Sequence, residues 1–274
     1  YNKKRAIVLA CFGSVIEQQK YLDLENKIVE KFPDCDVFTS FSSRMVIKLL
    51  KKKKNEEYKN LPQTLADIDM LGYKHISVVS INIFPTDEHE VLKKIVDGFK
   101  IFSLANIGFT NALLTKTKET TTFLKDLNNQ VSKEDTANLY VIHGTPRLDT
   151  IGIDSISYTA SFLELISENN FTCSLEGAFP YFQVNDTIKS KIEKLGLKKV
   201  QVIPLLLVSG NHYINDMFEI KEDLEEKFEA FIVPSITQSE QFNLIELPMI
   251  QIFIEKNIQD SFRMMGISHK EFTY

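Results

Sequence analysis

The stretch from 199 to 217, KVQVIPLLLVSGNHYINDM, constrains the fold more than any other part of the chain. Eight of its first ten positions are apolar or proline, which is typical of a strand buried on both faces of a parallel sheet. Gly210 then permits a sharp turn, and the following residues predict an amphipathic helix. The apolar face of that helix would carry Met217, Ile220, Leu224 and Phe228. A buried strand that turns into such a helix indicates an open α/β sheet, in which ligands bind at the carboxyl ends of the strands.

Predicted strands alternate with predicted helices along the whole chain, in two successive series. The strands are expected at 5–12, 36–41, 75–84, 101–107, 138–142, 172–175, 199–208 and 231–233. Between the two series, the polar stretch NQVSKEDT at 129–136 is the best candidate for a linker. We therefore predict an α/β protein of two similar lobes, residues 1–134 and 135–274. Each lobe would be a mainly parallel sheet flanked by helices, with the flavodoxin- or Rossmann-type arrangement.

The two series can be aligned on each other without gaps in three stretches. ISVVSINIFPTDEHE (76–90) aligns with VQVIPLLLVSGNHYI (200–214), LACFGS (9–14) with YVIHGT (140–145), and DVFTS (36–40) with CSLEG (173–177). Because the three strand ends follow in the same order, the alignment indicates an internal duplication. We expect the equivalent strand ends of the two lobes to converge on one cleft, which is a common location for a ligand.

The bulk composition excludes several classes of protein. The net charge is −5, from 32 basic and 37 acidic residues, and the only dense basic run, 51–54, is typical of a solvated helix end, so nucleic acid is not an expected partner. Nothing approaches the run of about 18 apolar residues that spans a membrane. The three cysteines fit a reducing compartment, with Cys11 and Cys173 in the core. We expect a cytoplasmic protein. A periplasmic protein is the alternative, because the sequence begins with Tyr1 and not with methionine.

Three residues of metal-binding type stand at the ends of consecutive strands in the second lobe: His143, Glu176 and His212. Each has a glycine beside it or two residues before it, which lets the backbone present the side chain outward. Two imidazoles and a carboxylate suit cobalt, iron, nickel or zinc, and three protein ligands leave a coordination position open. A single histidine at a strand end is more often a hydrogen-bonded structural residue. The repetition at three successive strand ends favours a metal site.

The first lobe carries the sequence DEHE, at 87–90, at its equivalent strand end. Glu88 aligns with His212, which makes it a candidate for a role in the same chemistry. The alternative is that Glu88, and still more Asp87, is there because a carboxylate at a helix start interacts favourably with the helix dipole. His89 could be a functional residue or a solvated residue of the first helical turn. We assign structural roles to two other histidines, His75 and His269.

Several nucleotide and redox motifs are absent from the sequence. It contains no GxxxxGK[ST] or GxGxxG, the glycine-rich loops that bind phosphates and dinucleotides. It contains no GxSxG nucleophile elbow and no CxxC pair. If the protein is an enzyme, we expect it to work without ATP or nicotinamide.

Six stretches together resemble a known family: CFGS (11–14), FTSFSSRMVIKLL (38–50), DEHE (87–90), IHGT (142–145), LEG (175–177) and PLLLVSGNHYINDM (204–217). The chain resembles the anaerobic sirohydrochlorin cobaltochelatases of cobalamin biosynthesis, within the ATP-independent chelatase superfamily that includes ferrochelatase. The last stretch is long and specific. The sequence departs from the family pattern at Asn82, where relatives often carry histidine, and at Thr86, where glycine is usual.

The resemblance implies two α/β lobes that clasp a tetrapyrrole, and a lyase that inserts cobalt(II) into sirohydrochlorin, with iron, nickel or zinc as possible substitutes for cobalt. His143, Glu176 and His212 would hold the metal, and Glu88 would face them across the cleft. His143 and His212 would also be catalytic, with His143 as candidate proton acceptor. Glu88 would be a second base or a carboxylate that relays the metal. The alternatives are a chelatase for iron or haem-type rings, and a carrier that binds a tetrapyrrole or metal without turnover.

Substrate contacts are predicted in both lobes. The ring carries many carboxylates, so cations are expected around it. Arg44 and Lys48, one helical turn apart, and Arg147 are candidates, although each could be an ordinary surface charge. Within CFGS we expect Phe12 and Ser14 to contact the substrate. The sequence is also compatible with a homo-oligomer.

Overall fold

The computed structural model describes residues 1–237, 239 and 241–267, apart from the side chains of 211–214. The chain divides into two compact units. Unit 1 contains Tyr1–Leu113 together with the segment that begins at Pro248, and unit 2 contains Leu114–Leu247. Each unit has its own four-stranded sheet.

Unit 1 is built on a parallel sheet with the strand order β2-β1-β3-β4. Its strands are β1 (Lys3–Cys11), β2 (Asp36–Phe41), β3 (Tyr73–Ser80) and β4 (Asn106–Phe109). Its helices are α1 (Gln18–Lys31), α2 (Arg44–Lys54), α3 (Leu61–Leu71), α4 (Asp87–Phe102) and α9 (Pro248–Met264). Successive residues of β1 from Ala6 to Cys11 are buried, so both faces of the central strand are covered, as a parallel sheet requires.

Unit 2 repeats this plan with the strand order β6-β5-β7-β8, again all parallel. Its strands are β5 (Thr136–Gly144), β6 (Asn170–Glu176), β7 (Lys199–Leu205) and β8 (Glu229–Ile232). Its helices are α5 (Thr117–Val131), α6 (Ile153–Ile166), α7 (Tyr181–Lys194) and α8 (Asn211–Glu225), with a short 3-10 turn at Leu244–Glu246. The predicted apolar face of α8 and the turn after it is confirmed, since Met217, Ile220, Leu224 and Phe228 are buried.

The predicted fold class is confirmed by these two sheets. In each unit the first strand lies in the centre, the second strand lies on one side of it, and the third and fourth lie on the other. The shared order is what the internal alignment of the sequence indicated. The predicted core positions of Cys11 and Cys173 are also confirmed, and Cys35 is buried as well.

The compact units differ from the predicted lobes at their boundaries. Helix α5, which the sequence placed in the first lobe, belongs to unit 2, and helix α9 belongs to unit 1. Two hydrogen bonds illustrate this: Tyr140 on β5 donates to Asn128 on α5 at 2.8 Å, and Ser77 on β3 bonds to Ser261 on α9 at 2.8 Å. The chain passes between units at the buried residues 112–114, which lack the polar composition of a linker.

Of the predicted strands, only β2 has the predicted bounds, and the largest differences concern β3, β4 and β7. Strand β3 ends at Ser80 and β7 at Leu205, although the apolar runs continue beyond both. The apolar residues that follow, such as Ile81 and Leu206, are buried in loops, so their hydrophobicity reflects burial and not strand pairing. The fourth strand begins at Asn106 because helix α4 continues to Phe102. Within the described part of the chain, no helix combines the length and hydrophobicity needed to cross a membrane.

Candidate active site

The ends of strands β5 and β6 bring two predicted metal ligands to neighbouring positions in unit 2. β5 runs through His143 to Gly144, and Gly144 pairs directly with Glu176, the last residue of β6. The side chains of His143 and Glu176 are both half-buried. The Nδ1 atom of His143 lies 3.4 Å from the carbonyl oxygen of Gly144. An imidazole and a carboxylate therefore stand at the same edge of the sheet, on adjacent strands.

Two glycines with positive φ allow these strand ends to approach each other. Gly144 has φ +81° and Gly177 has φ +76°. A Cβ atom on Gly144 would lie 2.0 Å from the carbonyl oxygen of Glu176, and one on Gly177 would lie 1.7 Å from that of Thr145. No side chain fits at such distances, so the backbone at both positions requires glycine. Gly210 differs, because its φ of −139° is open to any residue.

The third predicted ligand, His212, lies in the first turn of α8, but its side chain is outside the described residues. Helix α8 follows β7, which pairs with β5 on the side opposite β6. The three strands that precede or contain His143, Glu176 and His212 are therefore direct neighbours, with β5 in the middle. Among the side chains that are described, no group of three histidine, cysteine, aspartate or glutamate residues is arranged to hold a metal. The triad that includes His212 stays a prediction.

In unit 1 the equivalent sheet edge presents a partly buried carboxyl group, that of Glu88. It lies in the first turn of α4 and accepts a hydrogen bond at 2.5 Å from the Ser42 hydroxyl, which follows directly after β2. Burial raises the pKa of Glu88 above its ordinary value, and the hydrogen bond from Ser42 opposes this effect. A partly buried carboxyl with a raised pKa is suited to accept a proton in a reaction.

His89, the next residue, is occupied inside unit 1. Its ring is buried, lies tilted against Phe109 with 4.9 Å between centroids, and places Nδ1 2.7 Å from the Ser80 hydroxyl. The Ser80 oxygen in turn accepts a hydrogen bond from the amide of Asn82 at 3.1 Å. Burial lowers the pKa of His89, which favours the neutral imidazole. The possibility that His89 is a solvated first-turn residue is thus wrong. Asp87, by contrast, is exposed, as its helix-dipole interpretation expects.

Of the other histidines assigned structural roles, His75 lies half-buried in β3, paired with Asn106, and His269 lies outside the described residues.

Two of the predicted substrate contacts are exposed at the unit 1 edge. Phe12, directly after β1, is 50% exposed. Arg44 is the first residue of α2 and is exposed, as is Lys48 one turn later. Between them Met45 is 64% exposed, an apolar residue that the sequence analysis missed. The position of Met45 beside Arg44, in the first turn of α2, was the sequence feature that could have singled it out.

The two other predicted substrate contacts are engaged with their own chain. The buried hydroxyl of Ser14 accepts hydrogen bonds from the backbone nitrogens of Ile16 and Glu17, at 3.2 and 3.0 Å. Arg147 is exposed and donates two hydrogen bonds to the carboxylate of Asp149, from Nε at 2.8 Å and from Nη2 at 2.6 Å. Contact of Ser14 and Arg147 with a substrate stays a prediction.

Comparison with known families decides the wider assignment. A family model described as Cobalt chelatase (CbiK) matches residues 5–256. The chain belongs to the cobalt chelatase family. The resemblance inferred from the six sequence stretches is thereby confirmed. A curated relative, the sirohydrochlorin cobaltochelatase of Salmonella typhimurium (strain LT2), is 23% identical over 220 residues, which is 78% of this chain and 80% of the relative.

Solved structures of other proteins share the fold of this chain. SirB from Bacillus subtilis with Fe3+ matches with a TM-score of 0.68 and 14% identity, covering 99% of each chain. The sirohydrochlorin chelatase SirB from Bacillus subtilis subspecies spizizenii, in complex with cobalt, matches at 0.64 with 13% identity, over 98% of each chain. CbiX, the terminal enzyme of sirohaem biosynthesis in denitrifying bacteria, matches at 0.56 with 12% identity, over 94% of this chain and 99% of its own.

Proposed function

We propose that this protein inserts cobalt(II) into sirohydrochlorin without ATP. The name of the Salmonella relative supports the choice of ring, and the family supports the choice of metal. The observation that carries the proposal is the direct pairing of Gly144 with Glu176, which sets His143 and Glu176 at adjacent strand ends. Membership of a cobalt chelatase family supports the presence of a metal donor set, and we infer that this edge provides it.

The unit 2 edge would hold the metal substrate. His143, Glu176 and His212 provide two nitrogen donors and one oxygen donor, a set that suits cobalt(II) and also accepts iron, nickel or zinc. Three protein ligands leave positions open for water and then for the ring nitrogens. Because the ion has to leave the protein for the ring, a partly open and half-buried site fits better than a closed structural one. Both described ligands, His143 and Glu176, are half-buried.

Glu88 would accept a proton from the ring. Insertion of a divalent ion replaces two pyrrole N–H protons, so each turnover needs acceptors for both. The raised pKa of Glu88, which has its origin in burial, increases its affinity for one of these protons. His143 is the candidate acceptor for the other, once cobalt has passed to the ring and its imidazole is no longer a ligand.

The surface of unit 1 around α2 would bind the ring. Sirohydrochlorin combines an apolar, flat macrocycle with many peripheral carboxylates. Phe12 and Met45 offer exposed apolar surface, and the exposed Arg44 and Lys48 offer positive charge one helical turn apart. Arginine and lysine bind carboxylates by charge-assisted hydrogen bonds.

A spectrophotometric insertion assay tests the proposal. Purified protein is mixed with sirohydrochlorin and cobalt(II), with and without ATP, and the rate is compared with that of the reaction without protein. We expect multiple turnovers per protein molecule and no effect of ATP. A single equivalent of bound ring or metal without turnover would instead support a carrier. Repeating the assay with iron, nickel, zinc and a haem-type ring separates the cobalt enzyme from an iron or haem-type chelatase.

A further inference from the structure

Ser42 occupies a position whose backbone is held on both sides. Its N–H donates to the carbonyl oxygen of Cys11 at 2.8 Å, which continues the β1–β2 pairing by one residue. The next residue, Ser43, caps helix α2, because its hydroxyl accepts a hydrogen bond from the backbone nitrogen of Val46 at 3.3 Å. The Ser42 side chain therefore extends from a backbone that the sheet and the helix both constrain.

The hydroxyl of Ser42 is directed at Glu88. It donates to Oε1 of that carboxyl group at 2.5 Å, in the range of a charge-assisted O–H···O bond. A serine hydroxyl is fixed by one heavy-atom torsion, whereas a glutamate carboxylate has three, so the short side chain orders the long one and not the reverse. The two residues are 46 positions apart in sequence, and their contact is made only when β2 and the start of α4 are in place.

Two buried groups of unit 1, Cys11 and Tyr21, are within electrostatic range of the same carboxyl group. Cys11 on β1 and Tyr21 on α1 are both buried. Burial is the main cause that raises the pKa of the Cys11 thiol and of the Tyr21 hydroxyl, and the charge of Glu88 adds to it. Both groups therefore stay protonated and uncharged at neutral pH. The hydrogen bond from Ser42 counteracts the effect of burial on Glu88. Losing it would leave the carboxylate both less ordered and less well solvated.

We propose that Ser42 is a positioning residue for metal insertion: its hydroxyl holds the Glu88 carboxylate in the orientation in which that group acts on the substrate. The inference rests on the role of Glu88 in the proposed function. Ser42 itself contacts Glu88 and is not assigned any contact with the metal or the ring.

A kinetic comparison of Ser42 variants tests the proposal. Ser42→Ala removes one hydrogen bond to a charged group, and we expect kcat for cobalt insertion to fall about 10-fold or more, with little change in the KM values for cobalt and sirohydrochlorin. Ser42→Thr keeps the hydroxyl and should restore most of the rate. Ser42→Val has the shape of threonine without the hydroxyl and should behave like Ser42→Ala. The Thr and Val pair remains informative if Ser42→Ala folds poorly.

A second hydroxyl, bonded to the same helical turn, supplies the matched control. Ser80→Ala removes the group that bonds to His89, the residue next to Glu88. If loosening of the first turn of α4 were the cause of a slow Ser42→Ala enzyme, Ser80→Ala should be equally slow. We expect it to lower the free energy of unfolding but to retain a kcat within a few-fold of wild type at a temperature where it is folded.

Combining the variants separates the role of Ser42 from the role of Glu88. In a Glu88→Gln background, Ser42→Ala should cause no further fall in kcat, because the group it positions is already gone. An equal fall in both backgrounds, or a Ser42→Ala enzyme with wild-type kcat beside a slow Glu88→Gln enzyme, would overturn the positioning role alone. A Glu88→Gln enzyme with wild-type kcat would remove the role of Glu88 from the proposed function, and the role of Ser42 with it.

Discussion

The two sheets have the same strand order, but the residues at their carboxyl edges differ in chemistry. In unit 2 the edge carries His143 and Glu176 on strand ends that are drawn together by Gly144 and Gly177. In unit 1 the edge carries Glu88, which is partly buried and accepts a hydrogen bond from a neutral hydroxyl. A repeated scaffold therefore determines where strand ends lie, while the residues just after them determine what each edge does. In the proposed function, one edge binds the metal ion and the other takes up a proton.

The largest expected effect comes from the unit 2 edge. His143→Ala or His212→Ala should abolish cobalt insertion, to less than about 1% of the wild-type rate, because even residues that only support a metal ligand contribute about 10–100-fold. Far-UV circular dichroism should be unchanged and calorimetric binding of cobalt(II) should weaken. Near-normal turnover in either variant would contradict the metal triad.

At the unit 1 edge, Glu88→Gln should slow insertion by about 100-fold, the lower end of the range for a general base, while cobalt binding stays intact. Rapid-mixing measurements of insertion beside calorimetric titration with cobalt(II) would show this. A variant that loses cobalt binding as well as rate would place Glu88 with the metal ligands and remove the contrast between the two edges.

The glycine contact at the end of β5 should matter for stability. Gly144→Ala places a methyl group against the carbonyl oxygen of Glu176 at a positive φ, so we expect it to lower the free energy of unfolding by about 1–3 kcal/mol. Gly98→Ala, in helix α4 where an added Cβ would meet no atom within 4 Å, is the control and should raise it by about 0.5–1 kcal/mol. Urea denaturation measures both, and equal effects would exclude a special role for Gly144.

The smallest effect concerns the pH dependence of stability. The pKa of Glu88 is raised above its ordinary value of 4.5, so the folded protein binds this proton more tightly than the unfolded chain does. Its contribution to stability is therefore greatest below the ordinary pKa and falls as the pH rises through the raised value. Glu88→Gln should then be more stable than wild type at pH 7, with the difference disappearing near pH 4.

Asp87→Asn is the control for that measurement. Asp87 is exposed in the same helical turn, where its charge interacts favourably with the helix dipole. Its replacement should slightly lower stability at pH 7, the opposite sign to Glu88→Gln. Urea denaturation of both variants at pH 4 and pH 7 gives the comparison. If Glu88→Gln were also less stable than wild type at pH 7, the account of Glu88 as a carboxyl destabilised by burial would be wrong.

Much of the fold followed from local patterns in the chain. Runs such as IVLAC in β1 and VQVIPLLLV around β7 are apolar because a parallel strand with helices on both sides is buried on both faces. The glycines at 144 and 177, each directly after a polar residue at a strand end, indicated a backbone that can present that side chain outward. These features depend on each residue and its near neighbours in sequence, so local sequence patterns indicate them.

Other features depended on partners distant in sequence. Nothing near residue 89 indicates that this histidine lies against Ser80 and Phe109 and not in solvent. Likewise, the sequence does not indicate that α5 belongs to unit 2 and α9 to unit 1. The segment in which the chain crosses between the units is buried and has the same apolar composition as the core.

The sequence by itself determined the repeated α/β plan, the family and the order of candidate ligands along the chain. Burial patterns and motifs depend on residues that are neighbours in the chain. Only the tertiary structure decided which strand ends lie side by side, that Gly144 faces Glu176, and that the hydroxyl of Ser42 reaches Glu88. The physical reason is that a hydrogen bond or a backbone contact between distant residues forms only after strands have paired and helices have packed.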